Sequence, residues 1–199
     1  MENKKNTLGD TLTGTGREHI PNVFFRMMTF VMQIADAFRN YPNKNFRTLG
    51  LAPGQIVVDY GCGPARYIKN ASETVGPKGK VYAVDIHPMA IKIVNEKIKK
   101  YNLKNVEAFL ANGYSCAIKD KSADVVYALD MFHMIENPTE LLAELARIAK
   151  PKGIVIIEDG HQSRAKTIDK IEESNIFTVF QQNKYHVVCT VKEIKPLTN

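Results

Sequence analysis

The chain has 199 residues, 44% of them hydrophobic and 24% charged, the balance of a globular protein with one well-filled core. Its longest apolar stretch, Val23 to Phe38, is broken by Arg26, Gln33 and Asp36 and makes a poor membrane span; no basic-then-apolar leader with a small-residue cleavage site is present. The net charge of +6 suits nucleic acid or anionic metabolites as partners, but no aromatic-interleaved basic motif for RNA accompanies it.

In chain order, residues 1–16 are polar and Gly/Thr-rich and read as a loose tail. From about Ile20 to Phe38 the pattern predicts an apolar-rich helix with Pro21 near its start. It is too apolar to stand alone, so it must cover something. Residues 1–44 thus form a tail and covering helix, and 45–199 the main domain. Tyr41 to Gln55, with Pro42, Pro53 and Gly54, reads as a short helix with loops. An alternation then begins. Strand Ile56 to Asp59 leads through Gly61 and Gly63 to a helix over Ala65 to Val75, with Pro64 in its first turn. Strand Val81 to Asp85 leads to a helix over Met89 to Tyr101, and strand Val106 to Ala111 to a loop. Strand Asp124 to Leu129 leads to Asn137-Pro138-Thr139-Glu140, a predicted Asn cap with a Glu reaching back. That helix, Thr139 to Ala149, stops at Pro151; Lys152-Gly153 turns the chain into strand Ile154 to Glu158. The order predicts an α/β fold: a doubly wound, mostly parallel Rossmann-like sheet between helix layers. A helix from Arg164 to Glu173 and two β-rich runs split by Asn183-Lys184 follow. They predict a C-terminal hairpin that adds an antiparallel strand at one edge. The lysines between Lys92 and Lys104 read as a solvated helix face. Cys62, Cys116 and Cys189 are odd in number and far apart; without metal-like spacing they imply free thiols, no metal, and a cytoplasmic protein.

Ligand-binding groups in such a sheet gather at the strand carboxyl ends. Here those ends carry Asp59, Asp85, Asp130 and the pair Glu158-Asp159. This lining would repel a pyrophosphate and attract a cationic ligand or one rich in hydroxyl and amino donors. Asp85, 24 positions after Gly61, stands where an acid accepts both hydroxyls of a ribose. NAD and S-adenosylmethionine both carry that ribose. The dinucleotide fingerprint fails at its third glycine, where Arg66 stands, and the cationic sulfonium suits the acids better.

On these motifs the chain resembles the class I S-adenosylmethionine-dependent methyltransferases, most of all the small ones of ubiquinone and menaquinone biosynthesis. The resemblance runs from Asn45 to Lys192 through V-V-D-Y-G-C-G-P-A, V-Y-A-V-D-I-H-P, A-D-V-V-Y-A-L-D-M-F-H-M-I-E-N-P and L-A-R-I-A-K-P-K-G-I-V-I-I-E-D. It implies that Asp59, Gly61 and Gly63 hold the methionine part and that Asp85 binds the ribose with Ile86 on the adenine. Asn112 and Gly113 would flank the adenine, and Leu129 and Asp130 would lie near the methionine end. Ala65 stands where the family often has a third glycine, and Asn112 where it usually has Asp.

Methyl transfer from a sulfonium needs chiefly alignment, and a base only for a hydroxyl or carbon acceptor. His133 and His161, each after a strand expected to border the methyl, are the candidate catalytic residues. Tyr60 and Tyr114 are placed to border the cofactor. The acceptor site falls to the loops after the fourth and fifth strands, to Phe24, Phe25, Met27, Met28, Phe30, Val31 and Met32 of the first helix, and to a partner subunit if the chain is a homodimer. A small-molecule acceptor is the first reading. An RNA or protein methyltransferase and a non-catalytic methyltransferase-like module are the alternatives. The thiol-dependent arsenite methyltransferases fit poorly, because the cysteine spacing differs.

Overall fold

Ile56, Val57 and Val58 open the central strand of the sheet. β-Branched residues suit a pleated backbone, and a continuous apolar run is required where both faces are covered. In the computed structural model, which describes residues 21–38 and 45–192, the strand β1 runs Ile56–Tyr60 and its last four residues are buried. Successive side chains enter opposite layers. Val57 packs with Ile68, Val75 and Val94 on one face. Val58 packs with Leu142, Leu145 and Ile171 on the other.

The remaining strands are β2 (Lys80–Asp85), β3 (Val106–Leu110), β4 (Ala123–Ala128), β5 (Ala149–Glu158), β6 (Phe177–Gln182) and β7 (His186–Val191). The helices are α1 (Asn22–Phe38), α2 (Ile68–Val75), α3 (Pro88–Tyr101), α4 (Pro138–Ile148) and α5 (Arg164–Glu173). The sheet order is β3-β2-β1-β4-β5-β7-β6. β1 to β5 pair in parallel, and β7 is antiparallel to both β5 and β6. The antiparallel strand is therefore inserted between β5 and β6, and the edge strand β6 runs with the parallel set. The chain order reverses between β1 and β4, which opens a crevice beyond their carboxyl ends.

Three elements depart from the sequence expectation. α2 starts at Ile68 rather than Ala65, because Ala65 takes a left-handed φ of 57° and cannot be helical. Asn137 makes no side-chain cap to the backbone; its amide donates to Glu140 instead. β5 begins at Ala149 without a separate turn. It absorbs Pro151, Lys152 and Gly153 as an irregularity between the pairs Ala123–Ala149 and Val125–Ile154. Gly153 permits this, since a side chain there would press within 2.8 Å of the Ala123 carbonyl.

The tail over residues 1–16 lies outside the described residues, as do 39–44. No described helix is long and apolar enough to cross a membrane. The α1 helix does cover the domain. Phe25 is buried against His87, while Val23, Met27, Phe30 and Val31 face outward. The side chains of Phe24 and Met28 lie outside the described residues.

The loop after β3 is held from α4. Arg147 donates to the Cys116 and Ile118 carbonyls at 3.1 and 2.7 Å and is ion-paired with Glu144, whose carboxylate accepts from the Cys116 N–H. Removing these charge-assisted bonds by Arg147→Met should cost about 1–3 kcal/mol of stability, read by urea unfolding.

Candidate active site at the carboxyl ends of β1, β2, β4 and β5

The chain leaves β1 through Gly61, Gly63 and Ala65, all at positive φ. The Gly61 and Cys62 N–H groups donate to the Val84 carbonyl, which hangs the turn on the end of β2. Gly61 must lack a side chain, because a Cβ there would meet Met131 Cγ at 2.8 Å. Gly63 and Gly113 differ: the space where their Cβ atoms would project has no atom within 4 Å. Lys97 donates to the Pro64 and Ala65 carbonyls at 3.0 and 2.7 Å. This lysine is thus no part of a solvated face but a tie from α3 to the glycine turn.

Asp85 is 8% exposed and both its oxygens are engaged. Oδ2 accepts from the Gly63 N–H and Oδ1 from the His87 N–H, each at 2.8 Å. Burial raises its pKa, and these N–H donors pull it back. A carboxylate offers about four acceptor sites, so hydroxyl donors can still be accepted beside these N–H groups. His87 caps α3 by accepting from the Met89 N–H, and Phe25 stacks on its ring at 4.2 Å. That stack places α1 over the ends of β1 and β2.

Asp59 is 2% exposed, and its Oδ2 has no hydrogen-bond partner among the described residues. Burial, and then the charge of Asp85, push its pKa up to about 8; the nearby Tyr127 hydroxyl acts the other way. Cys62 beside it is buried, and its thiol is pushed well up by burial and then by the two aspartates. It is held as a thiol, not a nucleophile. Cys62 and Cys189 lie in core layers on opposite faces of the sheet, so the cysteines do not converge.

Beyond β4, Asp130 takes a φ of 54°, and a single 3₁₀ turn over Phe132–Met134 presents His133. Beyond β5, Gly160 at φ 61° leads to the exposed His161. The two imidazoles meet edge to face, with ring centroids 5.0 Å apart. The two acids at the end of β5 are used elsewhere. Glu158 accepts from the Asn45 amide at 2.9 Å, and Asp159 is ion-paired with Arg164. Neither lines the cavity, which therefore carries fewer carboxylates than the strand ends alone imply.

The cavity has a volume of about 330 Å³. Of the residues expected from sequence, Asp59, Gly61, Gly63, Asp85, Ile86, Gly113, Leu129, Asp130, His133 and His161 all line it. Asn112 does not; it is exposed, and its backbone pairs with Ser115. Tyr60 and Tyr114 line it too, as do Phe25 and Met32 of α1. Sequence reasoning missed Met131, Met134 and Ile135, whose wall positions depend on the fold of the loop after β4. It also missed Arg66, the arginine of the wall.

Fold and cavity together define a doubly wound α/β domain with an acid-lined ligand site at its topological switch point. The family model described as methyltransferase domain matches residues 58–157, and this chain belongs to that family. It is 30% identical over 110 residues to demethylmenaquinone methyltransferase from Geobacillus stearothermophilus, a match covering 55% of this chain and 47% of that protein. The chain thus spans about half the length of the curated relatives it matches. A SAM dependent methyltransferase from Aquifex aeolicus superposes with a TM-score of 0.67 at 27% identity, over 76% of this chain and 89% of that one. Geranyl diphosphate C-methyltransferase from Streptomyces coelicolor A3(2) shares the fold, with a TM-score of 0.60 at 14% identity, over 71% of this chain and 62% of that one.

The raised pKa of Asp59 has a definite sign. Without ligand, ionising this carboxyl costs the folded state more as pH climbs from the unfolded value near 4 to the folded value of about 8. Relative to wild type, Asp59→Asn should therefore gain stability as pH rises through that window and show no further gain above it, read by urea unfolding at pH 5 and pH 9.

Proposed function

We propose that this chain transfers a methyl group from S-adenosylmethionine to a small-molecule acceptor. The observation that supports this best is the buried, unpartnered Asp59 oxygen in a cavity also lined by Asp85 and Asp130, in a chain of net charge +6. A buried carboxylate needs a cation or donors. The ammonium, sulfonium and ribose hydroxyls of that cofactor supply both. The open space at Gly63 and Gly113 suits close approach of a ligand to the backbone. In this reading Asp59, Gly61 and Gly63 hold the methionine part, Asp85 the ribose, and Ile86 and Gly113 the adenine. Arg66 offers a charge for the methionine carboxylate.

When bound, the cofactor supplies a methyl on positive sulfur, whose bond electrons return to sulfur as the acceptor's lone pair takes the carbon. The residues of this chain align the partners. Orientation of this kind is worth roughly 7–11 kcal/mol of barrier. The cavity also carries the apolar side chains of Met131, Met134, Ile135 and Leu141, which suit an acceptor with an apolar body. The names of the quinone and isoprenoid methyltransferase relatives agree with that class. In this reading His133 and His161, which line the same cavity, face the acceptor's reacting group. Buried or part-buried free thiols suit a cytoplasmic setting.

Calorimetry tests the cofactor. S-adenosylmethionine should bind wild type and lose about tenfold or more with Asp85→Ala; no binding to folded wild type would reject the reading. Because Asp59 is protonated below about pH 8 and a cationic ligand favours its ionised form, affinity should rise with pH up to that point, and Asp59→Asn should flatten the profile. Labelled methyl should pass into small metabolites of the source cell; label confined to an RNA or protein fraction would overturn the acceptor class.

A further inference from the structure

We propose that Asp130, His133 and His161 bind one divalent transition-metal ion, of which zinc is the type, within the cavity. The role of this ion rests on the methyltransferase reading; its binding does not.

The three side chains come from two loops, after β4 and after β5, and each offers a ligand atom, all within 4.8 Å of one another. A tetrahedral zinc with bonds of about 2.0–2.2 Å sets its ligand atoms about 3.4 Å apart. Closing the gap takes side-chain rotation of about an ångström. His161 is exposed, so its ring turns without disturbing the core. The backbone holds His133 towards it: a Cβ on residue 160 would fall 2.1 Å from His133 Nδ1, so glycine is the residue that leaves room for this ring. Asp130 sits in the left-handed region, where Asp is less strained than most residues, and lines the same cavity.

Two imidazoles and a carboxylate are the donors of zinc, iron(II) and cobalt(II) sites. Magnesium and calcium prefer oxygens alone. Three protein ligands leave at least one coordination position for a further group, as in catalytic zinc sites. Two facing imidazoles also exceed what removal of a single proton requires. The acceptor implied is an alcohol, phenol or enol. Its oxygen takes the open position, its O–H bond breaks with the proton passing to water, and the oxygen keeps the lone pair that receives the methyl.

The test uses the untagged, chelator-treated 199-residue chain titrated with Co²⁺, read by visible absorption and by metal analysis after dialysis. One Co²⁺ should bind per chain, and Mg²⁺ should not displace it. His133→Ala and His161→Ala should each weaken binding by about tenfold or more, since even second-shell losses reach that size. Gly160→Ala, which removes no ligand but crowds His133, should do likewise, and His186→Gln, at a histidine of β7 that does not line the cavity, should bind as wild type does. No Co²⁺ uptake by wild type, or equal uptake by the His133→Ala/His161→Ala double variant, overturns the proposal. S-adenosylmethionine binding to the metal-free protein and the variants is measured alongside. Its retention without metal binding sinks this inference alone, and its loss in wild type sinks the methyltransferase reading.

Discussion

The buried carboxylate of Asp85 is the joint on which the cavity turns. It accepts from the Gly63 N–H in the turn after β1 and from the His87 N–H before α3. Two segments far apart in the chain are thereby fixed against the end of β2. A carboxylate at 8% exposure is costly unless donors surround it. Those donors are themselves backbone groups that neither a strand nor a helix has yet satisfied. Each need answers the other. Because the Val84 carbonyl takes the Gly61 and Cys62 N–H groups, the turn is held on both sides and Gly63 is left facing open space.

Electrostatics at this site runs against the protein's overall sign. Lysines and arginines outnumber aspartates and glutamates in the chain by 27 to 21, yet the described cavity is lined by Asp59, Asp85 and Asp130. Screening by water and salt mutes the exposed cations, while charges taken out of water keep their force. Asp59 shows the consequence in its raised pKa, with burial first and Asp85 second among the causes. The local field, not net charge, decides what the cavity attracts.

The sheet order divides the site into two halves. The ends of β1 and β2 supply the glycine turn and the acids suited to an adenosyl ligand. The loops after β4 and β5 supply the histidines and the thioether-rich wall. They meet because the chain order reverses between β1 and β4. The N-terminal helix closes the first half through the stack of Phe25 on His87. In the proposed reading one half holds the methyl donor and the other its acceptor.

Local pattern was enough to read the parallel strands, the hairpin, most helices, and the acids and glycines at the strand ends. Alternation, β-branched runs and turn residues act between near neighbours, so the chain displays them directly. Tertiary structure decided what depends on contacts between distant segments. Ala65 leaves the helix because the turn must reach Val84 and Asp85. Gly153 lets β5 continue because the Ala123 carbonyl presses on it. Glu158 and Asp159 are taken out of the cavity by Asn45 and Arg164. His133 meets His161 only because strand order and register bring two loops together over a bare glycine. Nothing in either loop's own sequence records where the other one lies.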